Sequence, residues 1–256
     1  MAGAVAMAGK SALLAGAGLV QLAVPDPVLE TVAGFFPEYT TIPCPADGNV
    51  CFSIKALPVI LKRCQNAAAV FIGPGLGRSE ELTQLVTELV RQIACPVIVD
   101  ADALQPVILT NRNKNTPLVL TPHAGEFARL TGAAISPEFS RSTEGVRFAE
   151  QHGVILVLKG HRSIVTDGKK LTVNTTGNPG MATGGSGDVL TGLIAGLTAQ
   201  RLMPVYETVC LAVHVHGKSG DLAAEELGEL SVTATAIMNH IPQALQRSGT
   251  SATVND

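Results

Sequence analysis

The sequence predicts an α/β fold in which a mostly parallel central sheet is covered by helices on both faces. Three observations carry this: short runs that are apolar at every position, stretches at helical spacing between them, and polar or glycine-rich clusters closing several of the runs. A strand with one wet face alternates, whereas a strand buried on both faces is apolar throughout, and these runs are of the second kind.

The elements follow in order. Residues 4–16 are Ala-rich and helix-compatible, and Gly16 and Gly18 end that helix ahead of an apolar strand at 19–24. Residues 67–72 form the next run, closing on Gly73-Pro74-Gly75-Leu76-Gly77. A helix at 80–93 follows, with Leu82, Leu85, Val86, Leu89 and Val90 on one face. Residues 97–99 close on Asp100-Ala101-Asp102. Residues 118–120 open onto Thr121-Pro122-His123-Ala124-Gly125-Glu126 with a helix behind. Residues 154–158 lead into Lys159-Gly160 and a hairpin over 163–173 that turns at Asp167-Gly168. Residues 209–227 predict a helix interrupted around Gly217. With no repeat and no shift in composition, one domain is expected over 1–247 and a disordered tail over 248–256.

Composition narrows the function. Of 256 residues 46% are hydrophobic, enough for a large core. The formal charge of -3, with Lys and Arg dispersed, leaves no basic stripe, and aromatic residues at 4% with no Trp leave few rings for bases to stack on. Nucleic acid is therefore not an expected partner. The five cysteines form no CxxC pair and are expected to be free thiols in a reducing compartment. The apolar stretch 11–24 is shorter than the roughly 20 residues that span a bilayer. It reads as a buried helix and strand, and the expected location is cytoplasmic without a membrane partner.

In such a sheet ligands gather where strands end at their carboxyl edge. The strongest signal there is Asn178-Pro179-Gly180-Met181-Ala182-Thr183-Gly184-Gly185-Ser186-Gly187-Asp188. Gly184, Gly185, Ser186 and Gly187 can turn backbone amides onto an anionic oxygen, and the apolar run behind them reads as a helix with its positive end facing it. Asp188 beside an anion hole is either a helix cap or a general base aimed at a substrate hydroxyl, and the length of the pattern favours the base. Lys159, following an apolar strand, either reaches solvent or attracts phosphate. Gly75 sits in a turn that a flat ring can approach, and His123 either caps the following helix or touches substrate. His214 and His216, with Asp221 nearby, do not share a helix face at spacing i, i+2, and read as core-helix residues rather than a metal site.

The run GMATGGSGDVLTGLIAGLTAQ resembles the phosphate-site signature of ribokinase-like proteins, in the form found in the NAD(P)H-hydrate dehydratase family. MAGAVAMAGKSALLAGAGLV, GPGLGR, VDADAL, LTPHAGEFARL, VLKGHRSIVTDG and HVHGKSGDLAAEELGELSVTATAI agree with that family in the same order. The resemblance implies a three-layer ribokinase-like α/β/α sandwich. It also implies a lyase that uses ADP or ATP, with Mg2+, to dehydrate the 6S hydrates of NADH and NADPH (NADHX and NADPHX). By resemblance Asp188 is the base and substrate contact. Ala4, Gly75 and His123 contact the nicotinamide hydrate, and Lys159, Gly160, His161, Arg162, Ser163 and Gly187 contact the nucleotide. Glu126 matches the acidic residue that arranges magnesium through water, a duty Asp100 and Asp102 could share. The family also implies a homotetramer.

Members of the family ordinarily carry a further strand and Gly-Gly-Ser ahead of the motif that starts here at Met1, so one strand is expected to be missing from the sheet. Two other functions fit the same anion hole: a small-molecule kinase of the hydroxyethylthiazole type, against which TPHAGE and GPGLG argue, and a non-catalytic nucleotide-binding relative, against which the intact Asp188 and glycines argue.

Overall fold

A computed structural model describes residues 1–48, 50–110, 112–132 and 141–249. Four short strands, β3 (Val70–Ile72), β4 (Val97–Val99), β5 (Leu118–Leu120) and β6 (Ile155–Leu158), lie side by side and parallel. The antiparallel hairpin of β7 (Ile164–Thr166) and β8 (Leu171–Val173) completes that sheet. Because neighbouring parallel strands are consecutive in the chain, right-handed crossovers place their connecting helices on one face. These are α4 (Glu80–Gln92), α5 (Ala124–Thr131) and α6 (Arg141–His152). The opposite face is covered from the two ends of the chain, by α1 (Ala2–Leu14) and by α7 (Ser186–Ala199), α8 (Val205–Leu227), α9 (Ala234–Asn239) and α10 (Ile241–Gly249).

The strands divide their side chains between two cores. Val97, Val99, Leu118, Leu120, Leu156, Leu158 and Ile164 pack with Leu82, Leu85, Leu89, Phe127 and Phe148 on one side. Ile98, Val119, Val157 and Val165 pack with Val189, Leu193, Ile194, Val209 and Val213 on the other. Period-two alternation with both positions apolar is what makes a sheet sandwiched between helix layers. Local chemistry starts the helices in place: Ser79 Oγ accepts from the Leu82 amide at 3.1 Å, a cap worth about 1 kcal/mol.

Helices α1 and α7 approach unusually closely. A side chain at Gly192 would run into the Ala8 carbonyl, and one at Gly196 into that of Ala12. This contact ties the first element of the chain to the helix that follows the glycine-rich turn.

Two further strands, β1 (Gln21–Pro25) and β2 (Thr40–Cys44), pair parallel as a separate sheet, with the short helix α2 (Leu29–Ala33) between them and α3 (Leu57–Cys64) following β2. Among the described residues β1 and β3 are not paired with each other. A cavity of about 870 Å³ lies between them, lined by residues of both, including Leu22, Val24, Val70 and Phe71.

Several expectations need correction in detail. The strand expected at 19–24 begins at Gln21, leaving Leu19 67% exposed. The helix expected to break near Gly217 runs without interruption over Val205–Leu227. That glycine serves a tertiary contact instead, since a side chain there would collide with Thr176. α10 carries on through Ser248 and Gly249, where a tail was expected, and 250–256 lie outside the described residues. β2 and α2 were not expected: Thr40-Thr41-Ile42-Pro43-Cys44 shows neither a continuous apolar run nor helical spacing. The five cysteines are free thiols. No helix among the described residues is long and apolar enough to cross a membrane.

Candidate active site

The polar clusters of the sequence meet at the carboxyl ends of β3 to β6. At the end of β4, Asp100 is 1% exposed and accepts hydrogen bonds from Lys159 Nζ at 2.7 Å and Thr191 Oγ1 at 2.8 Å. Lys159 stands at the end of β6, and Thr191 lies one turn into α7. One buried carboxylate therefore joins three elements. Asp102 shapes the neighbouring loop, accepting from the Gly77 amide at 3.1 Å and Arg78 Nε at 2.9 Å.

Gly185 begins α7 with a φ of 90° and no side-chain cap. The Ser186 amide, expected in the anion hole, donates instead to the Thr183 carbonyl at 3.3 Å, and among the described residues the amides of Gly184, Gly185 and Gly187 are left for a ligand. Gly187 lies directly over the cation: a side chain there would come within 3.2 Å of Lys159 Nζ. Asp188, in the same first turn, takes no hydrogen bond through its carboxylate among the described residues. Burial, and secondarily the charge of Asp100, raises its pKa to about 6, while Lys159 opposes the rise. An unbonded carboxyl with that pKa can exchange a proton near neutrality.

His123 and Glu126 form a capping box at the start of α5. The Gly125 and Glu126 amides donate to His123 Nδ1 at 3.0 and 3.3 Å, and the His123 amide donates to Glu126 Oε2 at 2.8 Å. The plainer of the two readings of His123 is thus part of its role, although its side chain stays 56% exposed at the site. Glu126 Oε2 lies 3.8 Å from Lys159 Nζ.

The start of α1 closes another side. The Met1 ammonium donates to the Gly75 carbonyl at 2.5 Å, and Met7 touches the position of Gly185. Ala4, itself buried, lies on the same helix between these two contacts. Gly160, His161 and Arg162 form an exposed loop, while the half-buried Ser163 hydroxyl donates to the Gly160 carbonyl at 2.9 Å. Arg141 secures this loop by donating to the carbonyls of Leu158 at 2.9 Å and His161 at 2.8 Å. Neither Arg141 nor Thr191 stood out in the sequence. Thr191 had one signal, its place four residues after Gly187; Arg141 had none.

The 870 Å³ cavity reaches this region only through Met1, Ala2 and Gly73 to Gly77, so the volume of empty space does not mark the chemistry. Among the described residues no three His, Cys, Asp or Glu side chains are arranged to hold a metal ion. The carboxylates of Asp100, Glu126 and Asp188 are nevertheless the hard oxygen donors that magnesium takes when phosphates and water complete its shell.

A family profile described as NAD(P)H-hydrate dehydratase matches residues 1–243. The chain belongs to the NAD(P)H-hydrate dehydratase family. It is 40% identical over 252 residues to the bifunctional NAD(P)H-hydrate repair enzyme Nnr of Moorella thermoacetica, covering 96% of this chain and 47% of that protein. The corresponding Thermofilum pendens enzyme is 39% identical, with 95% and 47% covered. The chain thus spans about half the length of these curated relatives. The ADP/ATP-dependent NAD(P)H-hydrate dehydratase of Bacillus subtilis, co-crystallised with ATP/Mg2+ and soaked with CoA, superposes with a TM-score of 0.82 at 29% identity. That match covers 96% of this chain and 87% of the other. Hydroxyethylthiazole kinase from Pyrococcus horikoshii, at 15% identity and a TM-score of 0.60, shares the ribokinase-like fold alone. A dehydratase-family chain therefore carries Asp188, Lys159 and the glycine turn at one sheet edge.

Proposed function

We propose that this chain dehydrates the 6S hydrates of NADH and NADPH at the expense of ADP or ATP. The observation that carries the reading is Asp188: an unbonded carboxyl with a pKa of about 6, in the first turn of a glycine-started helix, beside the Lys159 ammonium. Hydroxide is a poor leaving group and phosphate a good one, which gives phosphoryl transfer its purpose.

Asp188 removes the proton from the hydrate hydroxyl, and that oxygen takes the terminal phosphoryl group as its bond to the nucleotide breaks, releasing AMP from ADP or ADP from ATP. The carbon–oxygen bond then breaks, inorganic phosphate departs, and the adjacent ring carbon loses a proton to solvent as the double bond forms. The amides of Gly184, Gly185 and Gly187 receive charge on the phosphoryl oxygens, the Ser186 hydroxyl lies in the same turn, and Lys159 adds a point charge beneath them. Gly160, His161, Arg162 and Ser163 flank the nucleotide; Ala4, Gly75 and His123 flank the nicotinamide. Glu126, with Asp100, would hold a nucleotide-bound magnesium through water, where the ion would neutralise developing phosphoryl charge.

The reading includes a single catalytic domain over 1–247, a cytoplasmic location and a homotetramer. Exposed apolar side chains such as Leu202 at 77% and Leu230 at 104% suit burial between subunits.

The test is direct. Purified protein, supplied with ADP or ATP and magnesium, should restore reduced-nicotinamide absorbance from prepared NADH hydrate. If no absorbance returns with either nucleotide, the assignment fails; phosphorylation of a thiazole alcohol instead would install the kinase reading.

A further inference from the structure

Helix α8 holds both ends of the glycine-rich segment. At its start, Thr176 Oγ1 donates to the His214 carbonyl at 2.9 Å, while the Gly177 amide and Asn178 Nδ2 donate to the Asp221 carboxylate at 3.0 and 3.1 Å. At its end, His216 Nε2 lies 3.0 Å from the Ser186 carbonyl oxygen and 3.4 Å from Ser186 Oγ. A carbonyl only accepts, so Nε2 carries the hydrogen. Burial lowers the His216 pKa to about 4, which keeps the ring neutral and this tautomer in place at working pH. Between the two ends, Gly220 lets Met181 of the segment press against the helix.

A segment with this many glycines has much backbone freedom to lose, and any part still free when a ligand arrives is charged against affinity. Fixing it beforehand from a rigid helix removes that cost. We propose that His216 and Asp221 are positioning residues for the nucleotide: they hold the turn at its two ends so that the amides of Gly184, Gly185 and Gly187 stay aimed at a phosphoryl group. This rests on the reading of that turn as the phosphate cradle. It adds to it a stated role for two residues of a helix that the sequence reads as core, with a minor part in binding left open by the family resemblance.

The experiment measures magnesium-ATP binding by titration calorimetry on the whole chain, with thermal unfolding followed on the same samples. His216→Leu removes the donor and should weaken binding roughly tenfold, the effect of one hydrogen bond of ordinary net worth. His216→Gln keeps an N–H at nearly the same reach and should bind within about threefold of the parent. Asp221→Asn, which leaves one of the two donors facing an amide, should weaken binding several-fold and carries the test if His216→Leu does not fold. Binding by His216→Leu, or by Asp221→Asn in its place, equal to the parent's overturns the proposal. So does a His216→Gln variant, folded, that binds no better than His216→Leu. Hydrate turnover read in parallel separates the two claims. A parent that binds ATP but turns over no hydrate sinks the functional reading and leaves the positioning role standing; a parent that binds no nucleotide sinks both.

Discussion

Lys159 Nζ lies 2.7 Å from Asp100 Oδ1, and the two residues are brought together from the ends of strands two places apart in the sheet. With side chains 19% and 2% exposed, the pair is largely withdrawn from water. Removing Asp100 takes away the carboxylate that bonds the Lys159 ammonium and leaves it only the longer contact with Glu126, at 3.8 Å. Asp100→Ala is therefore expected to destabilise the fold by about 3–5 kcal/mol. Urea unfolding of parent and variant gives the comparison, and a loss below about 1 kcal/mol would show that solvent already screens the pair.

Asp188→Asn keeps the size of the side chain and removes its basicity. Turnover should fall by about two or more orders of magnitude while nucleotide binding survives. Steady-state rates beside a binding titration decide it: unchanged turnover would exclude Asp188 as the base.

The pKa of Asp188 sets a pH limb. Its carboxyl is raised from 3.8 to about 6, so the basic form is lost as pH falls through about 6, and kcat/KM should fall with it. The sign for stability is opposite. A carboxyl that holds its proton more tightly when folded makes its ionisation a cost, so this group's contribution to stability increases as pH falls from about 6 towards 3.8. Asp100→Asn removes a neighbouring negative charge and should move the activity limb to lower pH; a limb that stays put would mean burial alone sets the value.

Gly192→Ala tests the helix contact behind the site. The added methyl meets the Ala8 carbonyl, a backbone atom that can yield only by moving α1. A loss of about 1–3 kcal/mol is expected, read from the thermal midpoint. A variant as stable as the parent would mean that α1 is free to shift.

Much of this architecture was legible beforehand because it is local. The strands at 97–99 and 118–120 were placed to the residue, since a run apolar on both faces, ended by Asp100 or Thr121-Pro122, has few other uses. The hairpin turn at Asp167-Gly168 was equally plain, its carboxylate accepting from the Lys169 and Lys170 amides. β2 was missed because a five-residue strand containing Pro43 and two threonines lacks that pattern. The continuity of α8 was missed because a glycine reads as a break unless one knows what packs against it.

From sequence alone came the class of the fold, the glycine turn, and the identity of the residues along one sheet edge, because periodicity and turn chemistry act between near neighbours. What only the folded chain decided is which of those residues touch: Asp100 with Lys159 and Thr191, His216 with Ser186, Met1 with Gly75. Those pairs are set by how helices cross and strands order themselves, and it is they that leave the carboxylate of Asp188 half-buried and, among the described residues, without a hydrogen bond.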